Sequence, residues 1–540
     1  MSYLNLAFTP RFITLTLCAL ATPLFVILAM FAPAFGGLFI VLALITAGLV
    51  ALGIRDLQQT SHAVLRSYPI AAHLRFILER IRPEMRQYFF EDDKTGTPFS
   101  RDKRAVVYQR AKGQLDKRPF GTEYDVYAEG FEWVRHSISP APVNHAPFTL
   151  VVGPQTALPY EASLFNISAM SFGALSANAI RALNGGAKRG GFAHDTGEGG
   201  VSPYHRENGG DIIWEVGSGY FGCRDAAGKF SPEKFAQTAS DPQIKMVELK
   251  LSQGAKPGHG GVLPAAKLTA EIAVIRGVPM GADCVSPSGH SAFSTPVELL
   301  QMIDTMRRLS GGKPAGFKLC IGHPWEFLAI CKAMLETGLH PDFIVIDGKE
   351  GGTGAAPLEF MDHFGMPLRD GLSFVHNALI GIGLRDKIRL GASGKIVTAF
   401  DIARAIALGA DWCNSARGFM FALGCIQSQS CHTDHCPTGI ATQDPMRARA
   451  LFVPDKTARV YNFHRQTLAT LAELTAAAGL DHPSQFKPSH FSRRISPKEN
   501  VTLDELYPIL QHGELLAGTQ DKRFSEHWAR AQTHTFRPQT

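Results

Sequence analysis

No residue between Phe12 and Ile54 carries a charge, an unbroken run of 43 in a chain of 540. A helix needs about 20 apolar residues to cross the hydrocarbon core of a bilayer, so the run has room for two crossings. Pro33 and the Gly36-Gly37 pair fall near its middle, where a short turn separates expected spans at 12–30 and 36–54. The first reading is therefore a transmembrane helical hairpin. The flank that follows carries Arg55, Arg66, Arg75, Arg80, Arg82 and Arg86, and the turn carries no basic residue. Basic residues stay on the cytoplasmic side, so both ends of the hairpin and the mass of the chain are expected there, against the cytoplasmic membrane. Two readings compete. Ala32-Pro33-Ala34 mimics a signal-peptide cleavage site after an apolar run, and a buried hairpin of a soluble protein would also be apolar. Cleavage would still leave a second span, and neither half has the polar face of a soluble hairpin.

The rest of the chain has an ordinary globular balance. With 45% hydrophobic and 19% charged residues it can bury a large core. Lys and Arg number 54 against 48 Asp and Glu, a surplus of +6 that is too thin to imply a nucleic-acid partner. Nine cysteines in so long a chain exclude a disulfide scaffold, and a cluster among them points to metal or redox chemistry.

Beyond the hairpin (1–55), residues 56–150 read as a basic connector with helical patches such as AAHLRFILERIRPEMRQYFF. Over 151–445, short apolar runs each end in Gly- or Ser-rich text and are mostly followed by a stretch with helical spacing, the pattern of parallel β/α units. The runs are LFNISAMSFG, FAHDTGEGG, IKMVELKLSQG, ADCVSP, GFKLCIG, DFIVIDGKEGG, KIRLGASG and WCNSARG. Eight such units in this length predict an α/β fold, a (β/α)8 TIM barrel. A doubly wound open sheet is the runner-up, but its dinucleotide fingerprint is missing: GGTGAAP at 351–357 lacks the full glycine pattern. Residues 446–540 form a tail with one strong helix, TARVYNFHRQTLATLAELTAAAG, expected to pack on the barrel as a helical extension.

The sharpest chemical signal is CIQSQSCHTDHCPTGIATQ, in which Cys425, Cys431 and Cys436 lie within twelve residues. Three thiolates so spaced can converge on an iron–sulfur cluster or, with His432 or His435, on zinc. Two lysines stand out as well. Lys318 is a cation inside an apolar run and Lys250 ends another; each needs an anion or a polar partner, which an ion pair or a bound cofactor can supply.

The run from Gly424 to Gln443 resembles the cluster loop of the FMN-binding domain of glutamate synthase, where three cysteines at this spacing hold a [3Fe-4S] cluster. SAMSFGALS (168–176), HDTGEGG (194–200), KLSQGAKPGHGG (250–261), DGKEGGTGAAP (347–357) and the stretch from ALGA to CIQSQSC (407–431) agree in order. The resemblance covers residues 150–445. It implies FMN, a [3Fe-4S] cluster on Cys425, Cys431 and Cys436, and an electron donor of ferredoxin-like or other kind. Every motif lies at the C-terminal end of an expected strand, where barrels carry their active sites. The FMN phosphate is expected at the loops after strands seven and eight, with Gly391, Gly394, Ser415 and Arg417 as candidates. Met170, Ser171, Lys250 and Lys318 are expected against the flavin, where a lysine favours the reduced state.

By the same resemblance Gln253, Lys256 and Arg276 contact 2-oxoglutarate, and Glu198 and Lys256 are the candidates for acid–base work. A dicarboxylic 2-oxo acid needs fixed cations, which fits the lysine and the arginine; read without the family, Arg276 is a solvated helix residue. Two departures from the family stand out: His259 where it usually has Glu, and Val262 where it has a Gln near the substrate. Residue 2 is Ser and no glutaminase domain precedes the barrel, so nitrogen is expected from free ammonia, another subunit or a different amine. The implied activity is reductive amination of 2-oxoglutarate to glutamate by a membrane-anchored flavoenzyme. The alternatives are a related flavoenzyme acting on another amine or amino acid, such as an N-methylglutamate synthase or a membrane-linked amino-acid dehydrogenase, and a non-catalytic membrane module.

Overall fold

The chargeless run forms two helices, Ile13–Phe31 and Gly36–Gln58, joined through a single turn at Pro33–Phe35. Gly36 and Gly37 open the second helix instead of lying in the turn, because Pro33 already reverses the chain. Thr22 hydrogen-bonds Thr46 across the pair at 3.0 Å, and Phe25 stacks on Phe39. Both helices are long and apolar enough to cross a membrane. The computed structural model describes residues 6–539, and the chain divides into two compact units, Met1–Thr97 and Pro98–Thr540. The basic connector is thus shared between the units.

The second unit is a closed barrel of eight parallel strands. They are β1 (Phe165–Ile167), β2 (His194–Asp195), β3 (Ile212–Val216), β4 (Ile244–Lys250), β5 (Ala315–Leu319), β6 (Phe343–Asp347), β7 (Arg389–Ser393) and β8 (Trp412–Ser415). Each is followed by a helix, among them Ala177–Gly190 after β1, Pro296–Leu309 after β4 and Ala399–Ala407 after β7. Several of these helices start on a Ser or Thr cap: Ser176, Thr295 and Thr398 each accept a backbone N–H of the first turn.

The barrel closes with a different strand set from the one expected. ADCVSP is not a barrel strand; Cys284–Val285 pairs antiparallel with Val262–Leu263 in the long excursion between β4 and its helix. Pro287 lacks the N–H that a central strand needs. Its place is taken by β3, which pairs with β2 and β4. Lys250 consequently ends the fourth strand, not the third. An excursion as long as 251–295 is uncommon in a compact domain unless it is functional.

Inside the barrel, Ala193, Ile213, Met246, Phe343, Val345 and Trp412 form an apolar layer at the N-terminal end. The antiparallel pair Thr149–Val152 and Tyr160–Ser163 plugs that mouth with Val152, Tyr160 and Ala162. The tail helix, Val453–Ala477, packs on Ala177–Gly190, and a Cβ on Gly186 would sit 2.3 Å from Val460. Beyond it the tail is not wholly helical: Phe491–Ser496 and Glu499–Thr502 form a three-stranded sheet with Glu132–Val134.

Candidate active site

Above the apolar layer the barrel interior turns polar. Asp195 of β2, Glu215 of β3 and Glu248 of β4 are buried, with one carboxylate oxygen of each within 4.8 Å of the others. Like charges so close cannot all ionise, and two lysines share the layer. The Lys318 ammonium donates to the Glu215 carboxylate and lies 3.9 Å from Glu248. Lys250 donates to Glu198 at 3.0 Å and stands 3.9 Å from Glu215. Burial first, then the Glu215 charge, raises Asp195 to about 7, against the pull of Lys318 and the Gly197 N–H. Burial and Asp195 push Glu248 well above the carboxylate range. Burial pulls Lys318 down, but the surrounding carboxylates outweigh it and hold the ammonium charged.

This layer is the floor of a cavity of about 180 Å³, open to solvent. Its walls are the loops after β1, β2, β4, β6 and β8, so Met170, Ser171, Glu198, Lys250, Gln253, Lys256, Arg276, Lys318 and Arg417 all line it. Six cations (Lys250, Lys256, Lys267, Arg276, Lys318 and Arg417) face three carboxylates (Glu198, Glu215 and Asp347), an excess that suits a dianionic ligand. Gly261 brings its loop so close to Glu198 that a Cβ there would lie 1.8 Å from the carboxylate. Burial raises the Glu198 pKa, but Lys250, Arg276 and Lys256 lower it further, and the group stays ionised.

Arg276 is not a solvated helix residue. It is buried at 4% exposure and lies against the Phe221 ring, 5.1 Å from its centroid. Among the described residues the guanidinium reaches only the Phe172 carbonyl, at 3.5 Å, and the Cys284 sulfur, at 3.7 Å, and its Nε has no partner. Lys256 donates to the Ala355 carbonyl at 3.1 Å, and burial lowers its pKa against the pull of Glu198. Among the described residues neither cation has a carboxylate within 4.0 Å. Val262 lines the same cavity, and His259 turns to Phe360 outside it.

A second, smaller cavity adjoins the first along Gly352, Ser393, Ala416 and Arg417. It is built from the loops after β7 and β8, with Gly394 in its wall at φ +150°, a conformation that favours glycine. Ser415 lines it, but its hydroxyl donates to the Ile396 carbonyl at 2.6 Å, tying the two loops together. Gly391 lies in neither cavity. It faces the barrel interior, where a Cβ would stand 2.7 Å from the Trp412 ring; its missing side chain is room for the indole. Phe99, from the segment before the barrel, closes one side.

The cysteine loop borders the main cavity through Cys431 and His432. Arg417 turns toward it, donating to the Thr353 carbonyl and to Met420, with its NH1 4.0 Å from the Cys431 sulfur. Cys431 and Cys436 lie near enough to Cys425 to add to the rise that burial imposes on its thiol. Burial also raises Cys436, but the Ala441 N–H and the Thr438 hydroxyl lower it further. Among the described residues the sulfurs are not gathered within the 4.8 Å that holds the carboxylate trio, whereas zinc at about 2.3 Å from each would need them closer. Gln427, Gln429 and Asp434 all adopt positive φ, a costly backbone for non-glycine residues. Lys267 knits the loop to the barrel, donating to the carbonyls of Ala174, Cys431 and Ala441 at 2.9–3.3 Å.

A model of the conserved region in glutamate synthase matches residues 150–481. The chain belongs to the glutamate synthase family. It is 39% identical to the glutamate synthase large subunit-like protein YerD of Bacillus subtilis, over 84% of this chain and 94% of that protein. It is 35% identical to an archaeal glutamate synthase [NADPH] of Methanocaldococcus jannaschii, over 65% of each. As a glutamate synthase-type oxidoreductase, the enzyme carries its family motifs on the walls of one cavity. Sequence reasoning missed Asp195, Glu215, Glu248 and Lys267. The first three face inward from strands, and DIIWEVGSG carried the signal that could have found Glu215: an apolar run ending in glycine-rich text, like its neighbours.

Proposed function

We propose that this glutamate synthase-type enzyme reductively aminates 2-oxoglutarate, with ammonia, to glutamate, taking electrons from a ferredoxin-like or other external donor. The observation that carries the reading is the pair Arg276 and Lys256: two buried cations on one cavity, without carboxylate partners, one with an orphaned donor. A buried unpaired cation is costly, and a ligand carboxylate removes the cost. The adjoining loop-built cavity at Gly394 supports FMN, whose phosphate fits a wall rich in backbone, and the bent cysteine loop supports a [3Fe-4S] cluster on Cys425, Cys431 and Cys436. When bound, FMN supplies the hydride and the cluster its electrons.

The protein's own part is positioning. Arg276 and Lys256 hold the two carboxylates of the 2-oxo acid and so fix its C2 carbon over the cavity floor. Glu198, kept ionised by Lys250, faces the same space and stabilises the positive charge of an ammonium or iminium nitrogen. Lys256 Nζ, its pKa lowered by burial, is the cation on this wall suited to give a proton. Val262 puts an apolar surface where the family has an amide, which favours a second reading: an N-alkyl amine replaces ammonia. The apolar hairpin supports attachment to the cytoplasmic membrane with the barrel on the cytoplasmic side.

The test uses purified full-length protein, a reduced low-potential donor, 2-oxoglutarate, and ammonia or methylamine. Glutamate formation with flavin reoxidation is expected with ammonia. N-methylglutamate alone selects the second reading, and neither product refutes both. A [3Fe-4S] EPR signal in the oxidised protein that vanishes in Cys431→Ser is expected for the cluster.

A further inference from the structure

In the first unit, the helix Ala71–Met85 runs on through a wider turn, Arg86–Phe90, and buries almost nothing: Ala72 is its one buried residue. Leu74, Ile77, Leu78, Ile81 and Met85 recur at helical spacing on one stripe, which Tyr88 and Phe89 continue. All are exposed, Leu74 at 62%, Phe89 at 74% and the neighbouring Phe90 at 76%. Arg75, Arg80, Arg82 and Arg86 occupy the rest of the surface, with Glu84 and with Glu79 bound to Arg75 at 3.0 Å. A stripe this apolar is not left to water in a stable protein.

The start of this helix is fixed to the base of the hairpin. The Asp56 carboxylate, in the last turn of the second apolar helix, accepts the Ile70 N–H at 3.0 Å and pairs with His73 at 2.9 Å. Thr14, at the start of the first, donates to the Pro69 carbonyl at 2.9 Å. A side chain on Gly53 would strike Leu15 and Ile70. The helix therefore begins at the level where the hairpin changes from apolar to charged.

We propose that residues 71–90 form an in-plane membrane helix whose apolar stripe lies in the headgroup boundary of the cytoplasmic leaflet and whose arginines bind anionic phospholipid. The proposal rests on the membrane reading of the hairpin. It commits to a lipid surface because the stripe is continuous with that anchor, because four arginines flank it, and because aromatic residues end it, as they do at bilayer interfaces. Each arginine contributes roughly fivefold to the bound-to-free ratio at an anionic surface, so removing three lowers it about a hundredfold.

Hydroxyl-radical footprinting of the full-length protein in nanodiscs, read residue by residue by mass spectrometry, tests it. Leu20 and Leu44 report on the hairpin, Leu74, Ile77, Phe89 and Phe90 on the helix, and Ile138, fully exposed in the second unit, on bulk solvent. In phosphatidylglycerol-containing nanodiscs, hairpin and helix positions are both expected to be protected. The Arg80→Gln/Arg82→Gln/Arg86→Gln variant is expected to lose protection of the helix alone. Protection of Leu20 and Leu44 with Phe89 and Phe90 oxidised like Ile138 overturns the proposal and leaves the anchor standing. Oxidation of Leu20 and Leu44 overturns the anchor and the proposal with it. Equal protection in purely zwitterionic nanodiscs overturns the anionic-lipid assignment, and protection only in nanodiscs that hold two copies assigns the stripe to a second copy instead.

Discussion

Asp195→Asn is the substitution that separates the polar layer of the barrel from an ordinary buried ion pair. Asp195 accepts the Gly197 N–H at 2.9 Å through Oδ1, and an asparagine oxygen can do the same, so the change removes little but the ability to ionise. The carboxyl titrates near 7 in the folded protein against an ordinary 3.8. Between those values the folded state holds a proton that the unfolded chain has released, so stability falls as pH rises through the window. Three units at 1.36 kcal/mol each make about 4 kcal/mol lost by pH 8 relative to pH 4. Glu248 is raised in the same layer and shares the proton uptake, so the figure is an upper bound. For the second unit, about 4 kcal/mol corresponds to roughly 4 °C in Tm. Thermal unfolding of the full-length protein in detergent from pH 4 to 8 should show wild type and variant nearly equal at pH 4, with the variant up to that much more stable at pH 8. A variant less stable than wild type at pH 8, or a difference that does not change with pH, would refute the reasoning, because Asp195 would then be a needed charge.

Other substitutions probe the remaining parts. Arg276→Gln should raise the KM for 2-oxoglutarate roughly thirtyfold, for about 2 kcal/mol of lost charge-assisted hydrogen bonding, and change kcat much less; steady-state kinetics showing an unchanged KM would remove Arg276 from the substrate site. Gly391→Ala should lower Tm by overpacking against Trp412, at a cost of about 1–3 kcal/mol, and leave FMN affinity of the folded protein intact. Gly394→Ala should weaken FMN binding by fluorescence titration, because it alters the cavity wall, and should also lower Tm, because φ +150° disfavours a side chain. Gln427→Ala removes the two hydrogen bonds, each 3.1 Å, that its amide makes with the Phe99 backbone. At about 1 kcal/mol each, their loss should speed iron release from the proposed cluster to a chelator roughly thirtyfold; an unchanged rate would show that the loop is held without them, by the Tyr108 bond to the Cys425 carbonyl and the Lys267 bonds to the carbonyls of Cys431 and Ala441.

The hairpin, the barrel and the cysteine trio were legible because each is written locally. A chargeless run declares apolar helices whatever surrounds it, apolar runs ending in glycine declare β/α units, and five and four residues between cysteines put three sulfurs on one loop. Closure is another matter. IIWEV and ADCVSP look alike as short runs, and only the pairing of β3 between β2 and β4 decides that the first belongs to the barrel. Direction is also invisible along the chain. A strand residue faces in or out according to the register of its neighbours, so nothing local says that Asp195, Glu215 and Glu248 meet around Lys318, or that Gly391 yields to Trp412 instead of to a phosphate. Arg276 reads as a surface residue on its helix until the excursion folds it under Phe221. The link from Phe99 to Gln427 joins residues 328 apart. Sequence by itself determined what kinds of element the chain makes and which chemistry it carries, since those follow from composition and spacing. Tertiary structure decided which charges share a buried layer and which donors stay unpartnered, since burial and neighbourhood are properties of the closed barrel and not of any segment in it.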